Sequence, residues 1–195
     1  AIAAGAGRIE LCDNLAVGGT TPSIGVINEA IKLTREKSVD LCVIIRPRGG
    51  DFVYTDPEVE AMLTDIRAAK EIGITCFVLG ALTSDRKLDK RVMQLLLAAC
   101  GEAEVVFHMA FDELAHTDQL EAIEWLSDQG VARILTRARS PGDPLEQRFA
   151  HYHRLLDAAK GKIQILPGGG VTLDNRQLFL EQLGVCQLHG TRIVF

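Results

Sequence analysis

Two arginines, a proline and two glycines fall within nine residues, Arg46 to Tyr54 (RPRGGDFVY). Pro47 fixes the backbone between the arginines, and Gly49 and Gly50 let the main chain turn sharply with its N–H groups exposed. That set suits a carboxylate or a phosphate, with Arg46 and Arg48 as the clamp. The plainer alternative is that the glycines only turn the chain and the arginines pair with nearby acids such as Asp51. A second anion-binding candidate is LPGGGVTLDN, where Gly168, Gly169 and Gly170 precede a helix starting near Thr172. Close backbone approach and a helix N-terminus favour negative charge there, unless the triplet is a connector with Thr172 as cap. Proton chemistry points to FHMAFDE, with His108 at a strand end and Asp112 in the loop beyond it. Imidazole titrates near neutrality, and a carboxylate a few residues on can orient it. A lone histidine is usually a satisfied core residue, but His189 stands at a second strand end and favours the functional reading. His108 with Glu10 would handle protons beside the arginine clamp. His116, His151 and His153 read as surface residues. Among the thiols, Cys12 at a strand tip is the most reachable, and a soft thiolate with imidazole nearby suits Cu(I), whereas strands also bury cysteine as a small apolar residue.

These residues need elements to position them, and one pattern recurs along the chain: a helix, a glycine, then a short apolar strand. AAKEIGITCFVL, LSDQGVARILT and AAKGKIQILP are examples. Repeated βα alternation implies a parallel sheet covered by helices. The pattern predicts strands over Arg8–Cys12, Val39–Ile45, Ile74–Leu79, Glu104–His108, Ala132–Thr136, Lys162–Leu166 and Cys186–His189. Helices are predicted over Ser23–Glu36, Asp56–Ile72, Leu88–Cys100, Thr117–Gln129, Pro144–Lys160 and Thr172–Leu183. Seven strands are one short of a TIM (β/α)8 barrel. Ala1 to Ala4 resembles the last turn of a helix whose strand would come first, and no closing helix follows the last strand. The expectation is therefore a TIM (β/α)8-type barrel, 1–195, as a single domain lacking its first strand and its closing C-terminal helix. An open doubly wound sheet is the alternative, disfavoured by the absence of a GxGxxG turn.

Strand parity sorts the side chains. Arg8, Glu10 and Cys12 share one face of the first strand, leaving Ile9 and Leu11 for the helix layer. Arg46 shares a face with Cys42 and Ile44, so polar groups gather inside, towards the carboxyl ends of the strands where barrel enzymes carry their sites. Cys42 is then the natural second thiol for Cys12, although it lies four residues below Arg46, roughly 13 Å at strand rise. On spacing alone Cys42, Cys76, Cys100 and Cys186 read as buried thiols.

Composition removes several classes of function. With a net charge of −5 and no Lys/Arg run interleaved with aromatics, the chain has no basic surface for nucleic acid. No apolar stretch approaches the ~18 residues of a membrane span, and the opening residues lack a signal-peptide pattern, so a cytoplasmic location is expected. Five cysteines, never spaced as CxxC, indicate neither a disulfide framework nor a zinc finger. All five are expected as thiols.

GAGRIELCDNLAVGGTTPS, IIRPRGGDFVY, the FH and AFD of FHMAFDE, RILT, GGGV and LHGT stand in one order over nearly the whole chain. Together they resemble the CutC family of copper-homeostasis proteins. The resemblance implies a TIM barrel, a cytoplasmic location, a homo-oligomer, a role in copper tolerance and Cu(I) as the bound metal. It also implies that Glu10, Cys12, Arg46, Arg48, His108, Asp112, Thr136 and His189 line the barrel mouth. Met109 departs from the family pattern, which has arginine there, and RARSPGD after Thr136 replaces a more glycine-rich loop. The sequence thus poses two functions: copper handling with Cys12 and Cys42 as metal ligands, or an enzyme or sensor for a small anionic metabolite.

Overall fold

A computed structural model describes residues 1–138 and 142–195; Arg139, Ser140 and Pro141, within the departing loop, lie outside the described residues. The chain forms two compact units, Ala1–Val106 and Phe107–Phe195.

In the first unit the strands β1 (Arg8–Leu11), β2 (Asp40–Ile44) and β3 (Cys76–Leu79) pair parallel in chain order. Glu10 stands in register with Cys42, and Ile44 with Val78. β4 (Glu104–Phe107) begins beside β3, where the Glu104 amide donates to Thr75 O at 2.8 Å. Three helices alternate with these strands: α1 (Ile24–Glu36), α2 (Asp56–Glu71) and α3 (Lys90–Cys100). α2 forms because Thr55 and Glu58 make a reciprocal cap, Pro57 sits in the first turn, and apolar residues recur at helical spacing. Val59, Met62, Leu63, Ile66 and Ala69 are the buried stripe, each large side chain contributing roughly 1.5–3 kcal/mol by leaving water. α3 is started by Asp89, whose carboxylate accepts from the Val92 amide.

In the second unit a 3-10 turn, Met109–Glu113, leads into α4 (His116–Asp128), β5 (Arg133–Thr136), α5 (Leu145–Ala159), β6 (Gln164–Pro167) and α6 (Arg176–Leu183). β5 and β6 pair parallel from Arg133↔Gln164 to Thr136↔Pro167. α5 buries Tyr152, Leu155 and Ala159, with Tyr152 and Phe149 edge-on to Phe179 of α6.

The parallel βα alternation agrees with the sequence reading, and three expectations are corrected. Residues 186–189 form no strand, although His189 N donates to Pro167 O at 2.9 Å. α6 starts at Arg176 rather than Thr172, because the Asn175 side chain captures Thr172 N (2.8 Å) and Gly170 O (2.9 Å) and holds the preceding residues in a turn. His151 is buried at 5% exposure, its Nε2 2.8 Å from Gln119 Oε1 and its ring stacked on His116. No described helix is long and apolar enough to cross a membrane.

Candidate functional site

In the first unit the loop after β2 turns its charge onto itself. Arg46 is buried, and its guanidinium donates to Val17 O (2.9 Å), Gly19 O (3.0 Å) and Gly50 O (2.7 Å) while lying over the Phe52 ring. One side chain thereby fastens the segment after β1 to the segment after β2. Arg48 bonds Glu58, Asp51 and the carbonyl of Val53, so the plainer reading of pairing with nearby acids holds for it. Glu58 is held below the ordinary carboxylate range by the Thr55 amide first and by Arg48 second. Gly49 is glycine because a Cβ there would lie 2.6 Å from Val17 Cβ.

Cys12 is half-buried, and a Cβ on Gly19 would come within 3.3 Å of its own Cβ. Burial pushes its thiol pKa up, and the carboxylates of Glu10 and Asp13 push in the same direction, so the proton is retained. The expected partner thiol goes elsewhere. Cys42 is joined to Cys76 on the neighbouring strand as a disulfide, with Cα atoms 4.5 Å apart. This corrects the expectation of five free thiols. Free among the described cysteines are Cys12, Cys100 and Cys186. Glu104 Oε1 lies 3.4 Å from Cys76 Sγ. The two sulfurs and a Glu104 oxygen all lie within 4.8 Å of one another, the one group of three metal-ligating residues found among the described residues. Both sulfurs are buried and Glu104 is half-buried.

The second unit gathers the other expected residues. His108 Nδ1 accepts from the Ala110 amide at 3.2 Å, which makes Nδ1 the unprotonated nitrogen of a neutral ring. Asp112 accepts from Thr136 Oγ1 and from the Arg137 amide, with Arg137 Nε 3.4 Å away. Burial outweighs these partners and pushes its carboxyl up to about 6. Thr136, fully buried, also accepts from Ala138 N at 2.8 Å. Gly168, Gly169 and Gly170 follow β6 as the sequence places them. A Cβ on Gly169 would lie 2.6 Å from Arg137 Cβ, and its φ of +64° favours glycine independently. The Gly168 and Gly169 carbonyls turn towards Arg148, which donates to both and to Arg137 O, and Tyr152 OH donates to Thr136 O and Gly168 O. His189 packs beside Gly168. Met109, the departure from arginine, meets the Arg137 guanidinium through its sulfur at 3.1 Å.

Sequence reasoning missed Cys76, Glu104, Arg137, Arg148 and Tyr152. The first two did carry a signal: Cys42 to Cys76 spans 34 residues and Cys76 to Glu104 spans 28, each about one βα repeat, so equivalent positions of successive units hold sulfur, sulfur and carboxylate.

Comparison with known proteins follows the same lines. The family model described as CutC family matches residues 1–194. A family protein CutC of Enterococcus faecalis is 48% identical over 194 residues, covering 100% of this chain and 93% of the relative. The human copper homeostasis protein cutC homolog is 44% identical over 95% of this chain and 65% of its own length. A solved structure of CutC from Streptococcus agalactiae superposes with a TM-score of 0.92 at 47% identity, covering 95% of this chain and 89% of that one. A tetrameric deoxyribose phosphate aldolase from Aeropyrum pernix reaches 0.62 at 13% identity, with 97% and 86% covered, a likeness of fold alone. The fold is α/β of the TIM-barrel type.

Proposed function

The chain belongs to the CutC family, and from that premise we propose that it acts in copper homeostasis by binding Cu(I) through cysteine sulfurs of the first unit. The observation that carries this reading is the group formed by Cys42, Cys76 and Glu104, whose ligand atoms lie within 4.8 Å of one another. The donor set fits the cargo: two thiolates suit a soft monovalent ion, and Glu104 offers a harder third contact. Cys12, the leading ligand on sequence grounds, is a single thiol whose burial and neighbouring carboxylates retain its proton. It stands outside that group. The relatives named as copper homeostasis proteins support the same assignment, and a cytoplasmic homo-oligomer is part of this proposal.

Anaerobic Cu(I) titration of the reduced full chain against a competing chelator tests it. One Cu(I) per chain is expected, lost in Cys42→Ser and in Cys76→Ser and kept in Cys12→Ser. Loss in Cys12→Ser with binding kept in the other two would return the site to Cys12.

A second reading, an enzyme or sensor for a small phosphate- or carboxylate-bearing metabolite, is favoured by one observation in the second unit. Asp112 is a buried carboxyl poised near neutrality, with the neutral His108 four residues before it. Glu10, Arg46, Arg48 and Gly168 to Gly170 are its further candidates. A thermal-shift screen of phosphorylated and carboxylated metabolites, repeated with Asp112→Asn, tests this reading: a shift in the wild type lost in the variant supports it, and no shift across the screen removes it.

A further inference from the structure

We propose that the Cys42–Cys76 pair is a redox gate on copper binding: joined as a disulfide it holds no ion, and two-electron reduction by a small thiol opens it to Cu(I). The inference rests on the copper reading above and adds its regulation. The same two sulfurs are needed for both states. Bonded to each other they carry no thiolate charge, so disulfide and Cu(I)-dithiolate exclude one another.

The fold keeps both states within reach. Cys42 and Cys76 occupy corresponding positions of neighbouring parallel strands, since Val43 pairs with Phe77 and Ile44 with Val78. Neighbouring strands lie about 4.7–4.9 Å apart through their own hydrogen bonding, close to the 4.5 Å between the bonded pair's Cα atoms, so strand pairing keeps the two side chains together after reduction. A two-coordinate ion needs sulfurs separated by roughly twice a metal–thiolate bond of ~2.3 Å, a change that side-chain rotation supplies without moving the sheet. Glu10 is the register partner of Cys42, and Glu104 contacts Cys76. A row of carboxylate, sulfur, sulfur and carboxylate thus crosses β1 to β4 on one face of the sheet and sets an oxygen donor beside the sulfurs. Cys76 and Glu104 are the first residues of their strands, whereas Glu10 and Cys42 are the third of theirs, and the row crosses β2 four residues before Arg46. Both sulfurs are buried, and Glu104 beside them is half-buried.

The chemistry balances. The protein disulfide and two small thiols give two cysteine thiols and one small disulfide; Cu(I) then replaces the two thiol protons. In reverse, the loaded dithiolate, one small disulfide and two protons give the protein disulfide, two small thiols and free Cu(I).

The test compares the full wild-type chain in two states, prepared anaerobically with excess dithiothreitol or with oxidised glutathione and then freed of reagent. Alkylation followed by peptide mass spectrometry is expected to label Cys42 and Cys76 in the reduced form and to leave them joined in the oxidised form. Cu(I) titration against a chelator is expected to show at least a tenfold weaker affinity for the oxidised form. Adding oxidised glutathione to loaded protein should transfer Cu(I) to the chelator as the Cys42–Cys76 peptide forms, with Cys12→Ser behaving as wild type. Because the comparison uses wild-type protein, it does not depend on a cysteine variant folding. Equal binding by both states, or full labelling of both cysteines after oxidation, overturns the gate and leaves copper binding standing. Binding by neither state overturns the copper reading together with the gate.

Discussion

Replacing Asp112 by asparagine should change the pH dependence of stability in a defined direction. The carboxyl is buried, and its pKa lies at about 6 against an ordinary 3.8. The folded state therefore binds this proton more tightly than the unfolded chain. Stability from this group is fully present below about pH 3.8 and is lost as pH rises through about 6. A shift of roughly two units corresponds to about 3 kcal/mol, reached by neutral pH. Asparagine keeps an acceptor for Thr136 Oγ1 and the Arg137 amide without a charge to desolvate. Urea unfolding of wild type and Asp112→Asn at pH 4, 5, 6 and 7 isolates the effect, because groups common to both proteins cancel in the difference. The variant should gain on the wild type by up to about 3 kcal/mol between pH 4 and pH 7. A flat difference would show that the carboxyl is not desolvated, and a difference moving the other way would show that Arg137 and the hydrogen bonds outweigh burial.

Arg46→Ala should destabilise the first unit by about 3 kcal/mol, since three carbonyls lose a charged donor; a loss under about 0.5 kcal/mol in urea unfolding would mean that water replaces the guanidinium. Gly49→Ala should cost about 1–3 kcal/mol through its Cβ against the Val17 Cβ and methyls, and in a Val17→Gly background, which lacks that Cβ, the same change should cost little; an equal cost in both backgrounds would refute the clash. Tyr152→Phe should cost about 1 kcal/mol in the second unit, because its hydroxyl donates to Thr136 O and Gly168 O. Thr136 O keeps the Gly168 amide as a partner, so a loss beyond about 3 kcal/mol would point to packing rather than the hydroxyl.

Local information sufficed for the elements. Helical spacing in α2, the glycines after the helices and the apolar runs of β2 to β6 depend on neighbours within a few residues, so periodicity and glycine C-caps located them to within a few positions. One exception is also local in cause: Asn175 competes for the backbone at the start of α6. Residue types likewise singled out Asp112 with His108, the glycine triplet after β6 and the soft sulfur of Cys42 as candidates.

Which groups meet was decided by tertiary structure. A sequence carries the alternation along a strand, but the register between strands is set by how whole βα units pack, and a two-residue shift of β1 would put Cys12 instead of Glu10 beside Cys42. Parity placed Cys12 and Cys42 on one face, and packing then paired Glu10 with Cys42 and Cys42 with Cys76. Burial is a property of the assembled fold in the same way. It raises Asp112 towards neutrality, holds the proton on Cys12, and turns Arg46 from the anion clamp of the sequence reading into the donor that fastens two loops together.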